Sequence, residues 1–199
     1  MRIRESMWCS KCGASTRERG LWQVLLEHYG DGARSARELI EVPGFSSLRI
    51  AEINRLNAGH ELLAQVASVA YSEYPEEDIQ NLSYADETFD LVITSDTLEH
   101  VPDYVRALRE TRRILRPSGR HVFTVPLRPD LPESQDRIGL SPIYHGVAPG
   151  PLALLRRPTE DMLALHDFAW DFVDTVNGAE FEVELHGTGV ETVFCAVAR

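Results

Sequence analysis

The chain has 199 residues, 43% of them hydrophobic and 26% charged, with a formal net charge of −11. That length suits one self-supporting core, and the acid excess argues against a nucleic-acid backbone as main partner, which needs a basic footprint. Three cysteines make no disulfide framework, and no signal peptide or long apolar run is present, so a soluble, reduced, cytoplasmic protein without a membrane partner is expected.

Residues 1–16 are polar and contain Trp8-Cys9-Ser10-Lys11-Cys12-Gly13. The spacing of Leu21, Trp22, Leu25, Leu26 and Tyr29 predicts a helix capped by Thr16, with Arg19 where a capping box wants Glu, and stopped by Gly30 and Gly32. Glu38 to Val42 reads as a short buried strand closed by Pro43-Gly44. Ser46 or Ser47 then caps a helix with Leu48, Ile50, Ile53 and Leu56 on its apolar face, ended by Asn57-Ala58-Gly59. Residues 62–71 read as a second strand entered from a helical turn and ended by Pro75, and a short third strand is placed near Ile79–Leu82. Phe89 to Thr94 is a continuous apolar run, the pattern of a strand covered on both faces. Pro102 and Asp103 open a helix with an apolar stripe of Tyr104, Ala107, Leu108, Thr111, Ile114 and Leu115. Arg106, Arg109, Arg113 and Arg116 lie on its outer face, read as solvated and offsetting nearby acid. Pro117-Ser118-Gly119 breaks it, and His121 to Val125 is the next strand.

Residues 126–158 are Pro-rich and read as an inserted lid. Short helices follow at Thr159–Leu165 and Phe168–Val176, the second ended by Asn177-Gly178. Strands at Phe181–Leu185 and Glu191–Val197 close the chain around Gly187-Thr188-Gly189. Alternating strands and helices predict an α/β fold, a Rossmann-like, seven-stranded, mostly parallel sheet with helices on both faces and an antiparallel C-terminal strand. The expected division is an N-terminal segment at 1–34 and a sheet domain at 35–199.

The acid is concentrated: Glu73, Glu76, Glu77, Asp78, Asp86, Glu87, Asp90, Asp96 and Glu99 follow one another without an intervening Lys or Arg. Tyr84-Ala85-Asp86-Glu87-Thr88-Phe89-Asp90-Leu91-Val92-Ile93-Thr94-Ser95-Asp96-Thr97-Leu98-Glu99-His100-Val101 resembles the fourth-strand region of class I S-adenosylmethionine (SAM)-dependent methyltransferases. So does its continuation through Ile114-Leu115-Arg116-Pro117-Ser118-Gly119-Arg120 and Phe123-Thr124-Val125-Pro126. The N-terminal Cys9, Cys12, Gly13, Arg17 and Arg19 are similar to the Cys-x-x-Cys-Gly and Arg-x-Arg segment of one branch of that family. The resemblance implies methyl transfer from SAM to an O or N acceptor on a small molecule. It implies Glu73 for the ribose, Asp78 with Ile79 for the adenine, and Ser95 and Asp96 on the methionine side. The family's acidic-x-Gly-x-Gly-x-Gly loop is assigned to Glu41, Pro43 and Gly44, with a single glycine retained. Such a loop leaves open a methyltransferase-fold protein that binds SAM or another ligand without methyl transfer.

Other chemistry is sparse. Cys9 and Cys12 are half of a zinc site, to be completed by His28 or by a second protomer in a homodimer; the alternative is a turn with two spare thiols. His145, with Tyr144 beside it in the lid, can take a proton from a hydroxyl or amine acceptor; a local hydrogen bond is the plain alternative. His166 and Asp167 are a second candidate pair, with helix capping as the plain role of Asp167. His100 is expected to pack beside the pocket.

Overall fold

A computed structural model describes residues 8–137, 140, 163–187 and 192–199. Helix α1 (Thr16–Tyr29) is capped by Ser15, one residue before the predicted cap. The Ser15 hydroxyl accepts from the Glu18 amide at 3.2 Å, and the Glu18 carboxylate accepts from the Ser15 amide at 2.9 Å, a complete capping box. Replacing a capping serine by alanine costs about 1 kcal/mol. Ser15→Ala should therefore lower the melting temperature by about 2–4 °C, measurable by thermal unfolding; an unchanged midpoint would mean the box contributes nothing.

The next elements correct the sequence reading. Residues 38–42 are not a strand: α2 (Ala36–Leu39), capped by Ser35, runs into α3 (Pro43–Ser46), whose proline sits in the first turn. The first strand is β1 (Ile50–Ile53), buried throughout. The spacing of Leu48, Ile50, Ile53 and Leu56 imitated a helix because both faces of this strand are covered. Asn57-Ala58-Gly59 opens helix α4 (Asn57–Leu63) instead of ending one. Strand β2 (Val69–Ser72) follows.

No strand forms at 79–82. This stretch satisfies its backbone without a strand partner, with the Asn81 amide on the Asp78 carbonyl at 2.8 Å and the Leu82 amide on the carboxylate of Glu110, in the helix at Tyr104–Ile114, at 3.0 Å. Ile79 and Leu82 plug the core instead. Strand β3 (Phe89–Ser95), a 3-10 turn at Leu98–His100, α5 (Tyr104–Ile114, capped by Asp103) and β4 (Leu115–Thr124) follow in the expected order, but β4 starts early, so Leu115 and Pro117-Ser118-Gly119 belong to the strand and not to the helix or a break after it. Two-residue strands β5 (Gln135–Asp136) and β6 (His166–Asp167) pair with each other. Helix α6 (Phe172–Gly178) and strands β7 (Phe181–His186) and β8 (Val193–Ala198) complete the chain. The Thr159–Leu165 helix falls mostly outside the described residues, as do 138–139 and 141–158 of the lid.

Among the described residues the main sheet has six strands, in the order β2-β1-β3-β4-β8-β7. The first four are parallel, β8 is antiparallel to both of its neighbours, and β7 at the edge therefore runs in the direction of the first four. Side chains alternate across it. Ala51, Ile53, Val92, Phe123 and Phe194 face α5 and α6, while Ile50, Leu91, Ile93, Val122 and Cys195 face a second apolar cluster built with Leu21 and Leu25 of α1. The N-terminal helix is therefore part of the core. The strand order reverses beside β1, so the carboxyl ends of β1 and β3 form the crevice where open α/β sheets place ligands.

Candidate functional site

A cavity of about 740 Å³ opens at that crevice, lined by Ile53, Asn54, Glu73, Asp78, Ile79, Thr97, His100 and Leu165 among others. This is the size range of small-molecule and cofactor sites. Three loops build it, one after each of β1, β2 and β3.

The loop after β1 is set by Glu52, which is fully buried. One carboxylate oxygen accepts from the Leu56 amide and the other meets Nδ1 of His60, each at 2.8 Å. Asn54 adopts φ +61°, a left-handed conformation that Asn tolerates better than most residues. Its amide nitrogen donates to Thr97 Oγ1 and its amide oxygen accepts from the Tyr74 amide, both at 3.3 Å. Asn54 thus ties the ends of β1, β2 and β3 together. Counted from Glu52, the acidic-x-Gly-x-Gly-x-Gly positions hold Asn54, Leu56 and Ala58. A loop follows β1 at these positions without the pattern's glycines. Glu41, Pro43 and Gly44 lie exposed on the α2–α3 stretch and line no part of the cavity, so the sequence assignment of that loop is corrected.

Glu73 stands where the sequence placed it, directly after β2 and on the cavity wall. Its carboxylate accepts from the Tyr71 hydroxyl, which burial and that carboxylate push up to about 12. Asp78 and Ile79 also line the cavity. The Asp78 carboxylate is held in place by the Gln80 amide at 2.8 Å and by the Gln80 side chain at 3.1 Å. Two fixed carboxylates on one wall can accept from hydroxyl and amino groups of a ligand.

Ser95 and Asp96, predicted for the same pocket, do not line it. Ser95 meets Thr124 Oγ1 at 3.3 Å. Asp96, at φ +48°, accepts from Thr124 Oγ1 at 3.0 Å and forms an ion pair with Arg17. The reason is α1. Its first turn lies across the strand ends, so Arg17 takes up the carboxylate that sequence reasoning gave to a ligand. Burial disfavours the charged guanidinium, but Asp96, Glu99 and Glu18 outweigh it and raise its pKa. Glu18, besides closing the capping box, accepts from the Gly59 amide at 3.3 Å, at the start of α4.

His100 lines the cavity, as expected of a residue packing beside it, and its Nδ1 donates to the Leu163 carbonyl at 2.9 Å. Asn54 and Thr97, which sequence reasoning missed, are legible only once β1 is placed correctly. Tyr144 and His145 lie outside the described residues. His166 and Asp167 serve structure: His166 contacts Asp136 at 2.8 Å and the Val101 carbonyl at 2.9 Å, while Asp167 pairs with Arg137. Asp167 makes no cap for α6, which begins at Phe172 after Asp171. Cys9 and Cys12 sit in a tight turn with Gly13 at φ +72°, and the backbone around Cys12 and Lys11 lowers the Cys9 thiol pKa. Among the described residues no further ligand gathers round them. Arg113 and Arg116 pair with Asp86, Glu110 and Asp90, so half of the arginine stripe is spent offsetting acid.

Comparison with known proteins gives this geometry a context. Residues 45–123 match a family model described as a methyltransferase domain, a stretch that contains β1 and excludes Glu41–Gly44. A ubiquinone/menaquinone biosynthesis C-methyltransferase from Klebsiella pneumoniae is 35% identical over 92 residues, 44% of this chain and 37% of the relative. A sarcosine/dimethylglycine N-methyltransferase from Halorhodospira halochloris is 38% identical over 72 residues, 36% of this chain and 23% of the relative. The matched stretches thus span well under half the length of these relatives. Among solved structures, 1,6-didemethyltoxoflavin-N1-methyltransferase from Burkholderia thailandensis, determined with bound S-adenosylhomocysteine, superposes with a TM-score of 0.57 at 14% identity, covering 92% of this chain and 78% of that one. At that identity the likeness is one of fold.

Proposed function

We propose that this chain, whose residues 45–123 match the methyltransferase domain model, transfers a methyl group from SAM to an oxygen or nitrogen of a small molecule. The observation that carries the reading is the acid-lined cavity at the carboxyl ends of β1, β2 and β3. In this reading Glu73 accepts from the ribose hydroxyls, and Asp78 beside Ile79 accepts from the adenine amino group. SAM supplies an activated methyl on a sulfonium that leaves readily. The protein's part is then to bind, orient and exclude water, and orientation alone can supply much of the rate. No helix among the described residues is long and apolar enough to cross a membrane. The reading extends to a cytoplasmic protein without nucleic-acid or membrane partners, in which a second protomer completes any zinc site at Cys9 and Cys12.

One observation favours a second reading, binding without transfer. The backbone donors at the start of α4 are occupied from within: Leu56 by Glu52 and Gly59 by Glu18. Glu73 and Asp78 stand on the cavity wall, while the positions of the pattern's glycines hold Asn54, Leu56 and Ala58, and of these three Asn54 alone lines the cavity. Calorimetry separates the cases. SAM and S-adenosylhomocysteine should bind saturably, and Glu73→Ala and Asp78→Ala should each weaken binding about tenfold or more, the worth of a charge-assisted hydrogen bond. No binding of either to the native protein overturns methyl transfer from SAM and restricts the second reading to a different ligand. Binding without methylated product across hydroxyl and amine acceptors leaves the second.

A further inference from the structure

We propose that His28, Glu184, His186 and Cys195 form a site for a transition-metal dication of the zinc type, fastening α1 to the β7–β8 hairpin. The fold brings these four together for simple reasons. Glu184 and Cys195 stand opposite each other in the antiparallel ladder, so their side chains share one face. His186, two residues beyond Glu184, shares that face. Helix α1 lies across it, and His28 in its last turn completes the group.

The donor atoms of all four lie within 4.8 Å of one another. His28 Nε2 is 3.5 Å from Cys195 Sγ and 3.5 Å from Glu184 Oε2, and His186 Nε2 is 3.7 Å from that same oxygen. Metal–ligand bonds of about 2.0–2.3 Å at tetrahedral angles place donors about 3.3–3.8 Å apart, so these spacings are already close to a zinc shell.

A second observation concerns His186 alone. Its Nδ1 lies 3.0 Å from the Glu27 carboxylate, an acceptor, so Nδ1 carries hydrogen and Nε2 offers a lone pair to the cluster. That Nε2 is buried and has no hydrogen-bond partner. A carboxylate fixing the far nitrogen of an imidazole is the usual outer support of a metal-binding histidine. One thiolate, two imidazoles and one carboxylate suit zinc and its neighbours, not the hard ions calcium and magnesium. Metal binding releases the Cys195 thiol proton to solvent, and the resulting thiolate with the Glu184 carboxylate balances a dication; Arg120, held over the Tyr29 ring, is a positive charge nearby that works against it.

Arg17 and His28 are eleven residues apart on α1, about 16 Å along its axis. The metal would therefore lie away from the cavity and act by anchoring the helix whose first turn contacts the strand ends.

Cobalt titration of chelator-treated protein tests this. One equivalent should give tetrahedral d–d bands and a thiolate-to-cobalt charge-transfer band, both displaced by zinc. The signal should persist in Cys9→Ser/Cys12→Ser and vanish in Cys195→Ser. Because Cys195 is buried, His186→Asn at the sheet edge serves as an independent variant: it should weaken binding at least a hundredfold and abolish the rise in melting temperature that zinc gives the native protein. Glu27→Gln should weaken binding about tenfold to a hundredfold while keeping the charge-transfer band. Absence of a cobalt signal in the native protein overturns the proposal. So does a signal lost in Cys9→Ser/Cys12→Ser, or unchanged affinity in His186→Asn.

Discussion

Arg17→Met should lower the melting temperature by roughly 6–12 °C, one of the two largest effects expected of a single substitution away from the apolar core. The side chain is 15% exposed and its partner Asp96 only 6%. Three carboxylates, Asp96, Glu99 and Glu18, act on this one guanidinium. Removing one partner of a buried pair strands the other charge, which costs about 3–5 kcal/mol. Asp96 keeps its hydrogen bond from Thr124, so the lower end, about 3 kcal/mol, is expected. In a domain of this size each kcal/mol moves the midpoint by about 2–4 °C. Adding Asp96→Asn should restore part of the loss, since it removes the stranded charge and leaves only smaller polar mismatches. Thermal unfolding of both variants checks this. A midpoint within 2 °C of the native protein for Arg17→Met would show that α1 is not held to the strand ends by this pair.

That pair also shows what the sequence could and could not disclose. Strand β3, helix α5 and strand β4 were legible because their signals are local: a continuous apolar run, a capping Asp103, an apolar stripe at helical spacing. Strand β1 was not, because Ile50 and Ile53 fall on opposite faces of a sheet covered on both sides, and their spacing with Leu48 and Leu56 satisfies a helix equally well. Meanwhile Leu39-Ile40 before Pro43-Gly44 looked like a strand and a loop. That pattern points the glycine loop to Glu41–Gly44 and away from the buried Glu52, whose carboxylate organises the loop after β1. Glu73 and Asp78 were legible because each follows an identifiable strand or turn and matches a family pattern. The position of Asp96 was legible and its partner was not: Arg17 lies 79 residues away, and no local pattern announces such a pairing. The His28–Cys195 approach, 167 residues apart, is more distant still.

His121 should give the protein a steep acid sensitivity. It lies on β4, fully buried, with Nε2 on the Thr94 hydroxyl at 3.0 Å, Nδ1 without a hydrogen-bond partner, and its ring 4.4 Å from that of Phe123. Burial pushes this imidazole down from 6.5 to about 3, so it stays neutral in the fold. In the unfolded chain it takes up a proton as pH falls through 6.5, whereas the folded chain does not until about 3. The unfolded state then binds more protons, and stability must fall with pH across that window, by about 1.4 kcal/mol per unit at full slope. The contribution is fully present above pH 6.5 and amounts to a loss of about 3 kcal/mol between pH 7.5 and 4.5. Many carboxylates titrate over the same range, so the native protein alone does not isolate the histidine. His121→Leu does, because every other group is common to both chains. Leucine leaves the Thr94 hydroxyl without its partner, but that cost is nearly the same at both pH values and drops out of the difference. Urea unfolding at pH 7.5 and 4.5 should therefore show native protein losing about 3 kcal/mol more than the variant. Equal losses would mean that the imidazole is protonated inside the fold, with Nδ1 donating to a partner the present geometry does not offer.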